Sequence, residues 1–304
     1  MKFDFIKNKK ISFIIVAVVL VVGIASFIFR GFNIDIDFAG GTEIVIEIGQ
    51  DFNEDDVRAV VENVTSNNIV SSIRKSGSRN DEVVIQTKEI DSDTRSKVVS
   101  AVCEKYSLDS ETALLSVDNV GASVGSKLLR DAILASALAV VLMLAYITFR
   151  FAFLSGLSSI VCLSHDVFVL MTVYSLFDIP MGTTVIAAIL TILGYSINAT
   201  IIVFDRVRSN QRSMGESSFG EVVNVSINQT LKRSLFTTIT TLLTIGMVYL
   251  LGVDSIKQFA FPLIVGIFAG LFSSVFLAGP VWETLHNKFG NVQLIKKQKA
   301  GKDQ

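Results

Sequence analysis

The sequence predicts a polytopic α-helical membrane protein with six transmembrane helices. A ferredoxin-like (βαβ-βαβ) α+β domain is expected between helices 1 and 2, on the extracytoplasmic side. Three observations predict this. Half of the 304 residues are hydrophobic and only 18% are charged. The apolar residues fall into runs of roughly 18 or more with almost no charge, long enough to cross a bilayer as helices. The charge is also segregated: residues 31–130 hold 18 of the 28 acids and 10 of the 27 bases, a local balance of −8 against +7 elsewhere. An acidic soluble insert within a basic membrane part follows. The bases are scattered at helix ends, so no nucleic-acid partner is suggested.

The chain opens with Lys2, Lys7, Lys9 and Lys10 in a tail of residues 1–10, followed by an apolar run at 11–30. The run is too long for a signal-peptide core and lacks an Ala-x-Ala-like site, so it reads as an uncleaved signal anchor. In the insert, Gly40 and Gly41 allow a tight turn or a close approach, and Glu43–Ile48 alternates as a half-buried strand does. Asn53–Ser66 has a cap, early acids, and Val57, Val60, Val61 and Val64 at helical spacing. Ile69–Lys75 and Glu82–Lys88 read as strands, Asp91–Tyr106 as a second capped helix and Thr112–Val117 as a last strand. The order is the split βαβ pattern. Asn119–Arg130, with Gly121 and Gly125, reads as a linker bending into the next span.

Spans two to six are expected at 131–150, 153–177, 183–204, 234–252 and 259–282, with a loop at 205–233 and a basic tail at 283–304. Basic residues set the orientation. With the amino terminus inside, the tails, Arg150 and the 205–233 loop hold 15 Lys and Arg, while the short outer loops hold only Lys257. Both termini are therefore expected in the cytoplasm of a multi-pass membrane protein. The 205–233 loop is expected to include an amphipathic segment near Phe219–Val225. Cys103 and Cys162 fall in different regions and have no metal spacing, which reads as two small buried residues.

Polar side chains recur at helical spacing inside three spans: Ser155, Ser159, Cys162 and Asp166; Thr191, Tyr195, Asn198 and Asp205; Arg233, Thr237, Thr241 and Thr244. Gly266, Gly270 and Ser273 form a small-residue stripe suited to close helix packing. A charge at the bilayer centre costs roughly 3 kcal/mol or more, and Asp166, beside His165, lies deep in its span. Two readings stay open. It is a titrating acid or polar latch coupled to ion movement, or a structural carboxyl held by hydroxyls. No phosphate loop and no nucleophile with its base is visible, so no enzyme activity and no cofactor is expected. Work would draw on a partner or on an ion gradient, which supplies about 2.3 kcal/mol per charge per 100 mV.

FAGGT (Phe38–Thr42, with Gly40, Gly41 and Thr42), NVGASVG (with Gly121 and Gly125), the His165-Asp166 pair, GYSIN…FDRVR (with Gly194, Tyr195, Asn198, Asp205, Arg206 and Arg208) and NQTLKRS (Asn228–Ser234) together resemble the SecD/SecF family of bacterial protein-export proteins, in its SecF branch. The match runs from about residue 10 to 285. The resemblance implies a translocase subunit that pairs with SecD as two halves of a resistance-nodulation-division transporter. It implies work with the SecYEG channel, the SecA motor and a translocating polypeptide, drawing on the proton motive force. YajC and YidC are further candidate partners. It also implies ion-coupling roles for Asn198, Thr200 and Arg233. The family's fourth-span motif carries an Asp where this chain has Ala199, which cannot titrate. Three readings follow: SecD holds the titrating site, which is the preferred reading; Asp166 substitutes for it; or the subunit is structural. The other classes weighed are a half-transporter for a small molecule or lipid and a non-coupling scaffold.

Overall fold

The computed structural model describes residues 3–65, 69–77, 79–150, 153–214 and 217–300. Lys2, Ser66 and residues 301–304 lie outside the described residues, as do the side chains of Arg150 and of residues 290–300. Among the described residues six helices are long and apolar enough to cross a membrane.

The first, α1 (Lys9–Phe29), leads through a short helical turn α2 (Ile36–Ala39) into an α+β domain. Its elements are β1 (Gly41–Glu47), α3 (Glu54–Val64), β2 (Val70–Ser76), β3 (Glu82–Thr87), α4 (Ser92–Tyr106), a turn α5 (Ser110–Ala113) and β4 (Leu114–Val120). The sheet order is β2-β3-β1-β4 with every neighbouring pair antiparallel, the split βαβ arrangement. Alternation along β1 buries Ile44, Ile46 and Ile48 against Val57 and Val61 of α3 and Val98, Val102 and Cys103 of α4. Asn53 accepts from the Asp55 amide and Asp91 from the Thr94 amide, so both helices start where the caps predict.

One expectation fails here. The last strand begins at Leu114, because Asp109 caps a turn over Ser110–Ala113, and it runs on to Val120. The stretch Asn119–Arg130 is therefore no linker. It completes the pairing of β4 with β1, Gly41 opposite Val120, and after Gly121 becomes the first turns of α6 (Ala122–Arg150).

The remaining helices are α7 (Phe153–Leu176), α8 (Thr183–Ser213), α9 (Phe219–Leu251), α10 (Asp254–Phe272) and α11 (Ala278–Ala300), the last two joined by a π turn at Ser273–Leu277. The expected loop at 205–233 and tail at 283–304 are largely helix. Charge ends a span but not a helix: Val203, Phe204, Val207 and Asn210 keep one stripe going past Asp205, and it packs on Val222, Val223, Ser226 and Ile227. Asn210 donates to Ser226 Oγ and to Gln229 Oε1, both at 2.8 Å, and Arg206 Nε donates to Gln229 at 2.6 Å. The amphipathic segment expected near Phe219 is the first two turns of α9, capped by Ser218.

The helix α7 is the hub of the bundle, its apolar window 56% buried against 6% for α6. Ser26 of α1 meets Ser175 at 2.8 Å, and Gly23 lies under Phe168 and Thr172. Gly266 sits on Ile192, and Gly270 on Ser196, so the small stripe lets α10 close on α8. Residues before α1 fold back on the far end of α9. The Phe5 amide donates to Asn224, Asn228 exchanges two hydrogen bonds with Phe3, and Lys9 pairs with the buried Glu283 at 2.7 Å.

The FAGGT and NVGASVG stretches meet at the base of the sheet. Gly40 and Gly41 have φ of 72° and 145°. A Cβ on Gly40 would strike Ala122, one on Gly41 the Thr87 carbonyl, and one on Gly125 the Phe38 carbonyl at 2.9 Å. Replacing Gly41 by alanine is expected to cost about 1–3 kcal/mol or more, read as a lower denaturation midpoint of the purified protein; an unchanged midpoint refutes the close-approach account. Beside this joint, Gln86 Nε2 donates to Asp35 Oδ1 (3.1 Å) and Glu43 Oε2 (2.7 Å). Burial first, then the Glu43 charge, push the Asp35 carboxyl above its usual range. A raised acid binds its proton more tightly when folded, so its contribution to stability is present at low pH and is lost as pH rises through the folded value. Asp35→Asn keeps an acceptor for the Ile36 amide. It is expected to raise the melting temperature near neutral pH, by a margin that shrinks on acidification; a margin that grows on acidification contradicts this.

Candidate functional site

The polar stripe of α7 is buried along its whole length: Ser155, Ser159, Cys162 and Asp166 are each 1% exposed or less. What it faces is the break in the sixth span. Pro280 has no amide hydrogen for the carbonyl four residues back, and the chain widens into the π turn just before it. Side chains of α7 add hydrogen bonds on either side of this turn. Ser158 Oγ donates to the carbonyl of Ala278, the first residue of α11, at 2.7 Å, and Cys162 Sγ approaches the Ser273 carbonyl, which also accepts from the Ala278 amide, at 3.7 Å.

Asp166 closes the stripe and is fully buried. Its Oδ2 accepts from Ser196 of α8 through a very short hydrogen bond and from Ser273 of the π turn at 2.7 Å. Its Oδ1 lies 2.9 Å from His165 Nδ1. Three elements thus converge on one carboxyl. Both hydroxyls meet Oδ2, which leaves Oδ1 to the His165 ring. Ser273 Oγ also lies 3.2 Å from the Gly270 carbonyl, a second acceptor on its own helix. The His165 ring packs on Phe272, which stacks on Phe276 at 5.6 Å. Ser, His and Asp are neighbours here without forming a hydrolytic relay. The serine donates to the carboxyl and not to the imidazole, which leaves it without a base.

The other expected site residues go elsewhere. Thr191, Asn198, Asp205, Arg206, Arg208, Arg233, Thr237 and Thr244 are exposed on the chain. The fourth- and fifth-span stripes therefore turn outward and do not line the bundle interior. The buried face of α8 is Ile192, Ser196, Thr200 and Val203, one position along the helix from the expected stripe. Tyr195 lies between the two faces and donates from Oη to Thr238 Oγ1 at 2.6 Å. Thr200 is buried, and its Oγ1 has no partner among the described residues; Ala199 is half-buried. Gly194 lies on the open side of α8 with no atom within reach of a Cβ. Ser196 was not singled out from the sequence. Its signal was Ile192 and Leu193, four and three positions before it, and Val203, seven after it, which mark the core face. Both cysteines are free and buried, as expected.

Comparisons with known proteins agree with this architecture. Residues 100–288 match the family model described as "Protein export membrane protein SecD/SecF, C-terminal". The protein translocase subunit SecF of Acidaminococcus fermentans is 38% identical over 92% of this chain and 96% of its own. The protein translocase subunit SecDF of Bacillus subtilis is 32% identical over 92% of this chain, which spans only 38% of that longer protein. The crystal structure of the translocon-associated membrane protein SecDF from a Thermus species superposes with a TM-score of 0.86 at 29% identity, over 94% of this chain and 39% of the other. A family model covering more than half the chain, with a relative this similar over nearly all of it, places the chain in the SecD/SecF family of protein-export membrane proteins.

Proposed function

We propose that this chain is the SecF-type subunit of a bacterial protein translocase, a membrane protein without enzymatic activity that promotes export together with SecD. The observation that carries the pairing is the fused SecDF relatives, of which this chain matches little more than a third. The outward polar face of α8 and α9 supports it. Asn198 is exposed well inside the fourth span, where lipid offers no partner and a matching half with its own polar face does. SecYEG, SecA and the translocating polypeptide follow from the same reading, with YajC and YidC as further candidates. The excess of Lys and Arg at the 1–10, 205–233 and 283–304 segments supports cytoplasmic termini and an external sheet domain.

Asp166 is the ion-coupling residue we assign within this chain, with His165 sharing its proton and Ser196 and Ser273 holding its second oxygen. Asn198, Thr200 and Arg233 belong in this reading to the partner-facing side, where Ala199 supplies no acid. The setting of Asp166, buried and with both oxygens already met by two hydroxyls and an imidazole, serves a proton better than a larger ion.

A gentle-detergent pull-down of the tagged protein from its own membranes tests the assembly. Recovery of a second six-span protein with a larger soluble domain, together with channel subunits, is the expected result. A homo-oligomer without them would sink the export reading and turn attention to small-molecule transport. For the site, Asp166→Asn is expected to lower gradient-dependent export more than Ala199→Asp changes it, at equal membrane levels. Equal export with and without the carboxyl removes Asp166 from the mechanism.

A further inference from the structure

The segment between α1 and the sheet runs alongside the connection between α7 and α8. Arg30 Nη1 donates to the Leu176 carbonyl at 2.7 Å, and Asn33 Nδ2 reaches the Asp178 carbonyl at 3.4 Å. Ile34 forms a parallel bridge with Met181, whose amide donates to the Asn33 carbonyl at 2.8 Å and whose carbonyl accepts from the Asp35 amide at 3.3 Å. The contact ends at Asp37. Its Oδ2 accepts from the Thr183 amide at 2.9 Å and from Thr183 Oγ1 at 2.8 Å. Thr183 is the first residue of α8, and the residue in the N-cap position, Gly182, has no side chain to cap with. A residue some 146 positions away supplies what the local sequence omits. The space is fitted to it: a Cβ on Gly182 would come within 2.7 Å of Asp37 Oδ2.

A cap from a distant segment does two things at once. It satisfies orphan amides of the helix and places a negative charge on its positive end. It also makes the start of α8 part of the other body. The next turns of the chain, Gly40 and Gly41, are pressed against Ala122, Gly125 and Thr87 with no room for a Cβ. From Asp37 to the sheet there is therefore no slack.

We infer that Asp37 is a positioning residue that joins the sheet domain to the first turn of α8, so that the two move as one body and a displacement of the domain during export is delivered to the span carrying Tyr195, Ser196 and Asn198. Ser196 is the α8 contact of Asp166, so the joint reaches the buried acid through a single helix. The transport half of this inference rests on the export reading.

The test measures inter-spin distances by pulsed electron paramagnetic resonance on the full chain in lipid nanodiscs. The labels sit at Ser100→Cys on α4 and Ala187→Cys on α8, both exposed, while the native Cys103 and Cys162 are buried. The unsubstituted joint should give one narrow distribution. Asp37→Ala should raise the displaced population about fivefold, the factor set by losing an N-cap of ordinary strength. Asp37→Asn, still a capping residue, should stay narrow. Thr183→Val, which removes one of the two bonds from the exposed side, should fall between and decides the matter if Asp37→Ala does not accumulate. Complementation of export should follow the same order. Widths unchanged in both Asp37→Ala and Thr183→Val overturn the joint, and a broadened distribution with undiminished export overturns its part in transport. If the unsubstituted chain itself restores no export, the export reading falls while the widths still decide the joint.

Discussion

A carboxyl at the centre of a membrane helix has to be met by donors, and much of this bundle follows from meeting one. Leaving Asp166 ionised and alone would cost roughly 3 kcal/mol or more. Ser196, Ser273 and His165 meet it from α8, the π turn and α7 itself. Each of these needs something further. Ser273 is in place because the helix widens into a π turn ahead of Pro280, and Ser158 fastens α7 to the Ala278 carbonyl just past that turn. Ser196 is in place because Gly270 has no side chain to hold α10 away from α8. The serine and glycine stripes are thus parts of one arrangement, in which a polar helix face exists to complement a broken helix. This explains why the third span is the least apolar of the first three and also the most buried.

The sheet domain obeys the simpler rule of water-soluble folds, alternation on strands and heptad-like spacing on helices, and this is why it was legible residue by residue. Its base is another matter. There the chain is held by glycines that admit backbone within van der Waals distance and by two carboxylates: Asp35 accepts from the Ile36 amide and from Gln86 of the sheet, and Asp37 accepts from Thr183 of α8. The domain is held at both of its chain crossings, by Asp37 on Thr183 before β1 and by Gly125 close against the Phe38 carbonyl after β4.

Composition and periodicity reveal the six spans, the split βαβ order and the depth of Asp166. They miss features that depend on what a side chain meets. The helices beyond Phe204 and before Ser234 were read as loop because hydropathy was used to end them, although Val207, Asn210, Val223 and Ile227 continue the packing stripe. The strand end at Val120 was read as linker because nothing in Asn119–Gly125 alternates; its pairing is dictated by Gly41 across the sheet. Helical spacing groups Thr191, Tyr195, Asn198 and Asp205 on one face of α8 without saying which way that face turns. The helix instead turns Ile192, Ser196, Thr200 and Val203 inward. A rotation of one residue about a helix axis is about 100°, enough to exchange inner for outer face, and spacing alone does not fix which polar set is inside.

The outward set is not uniform, and the difference carries information. Threonines need no neighbour in lipid. Thr191 bonds to the Ala187 carbonyl, Thr237 to Arg233, Thr241 to Thr237 and Thr244 to Thr240, each hydroxyl closing on its own helix at 2.7–3.1 Å. Such residues are quiet at a lipid or a protein boundary. The Asn198 amide has no such closure and no partner among the described residues, although the Asn228 amide of α9 does close on the Asn224 carbonyl at 2.9 Å. An amide left so in hydrocarbon costs several kcal/mol. Asn198, and not the threonine-rich stripe as a whole, is therefore what favours a second membrane body on this face in the export reading, one with an acceptor to offer it. Ala199, beside Asn198, shows that this chain does not supply the acid for that contact itself.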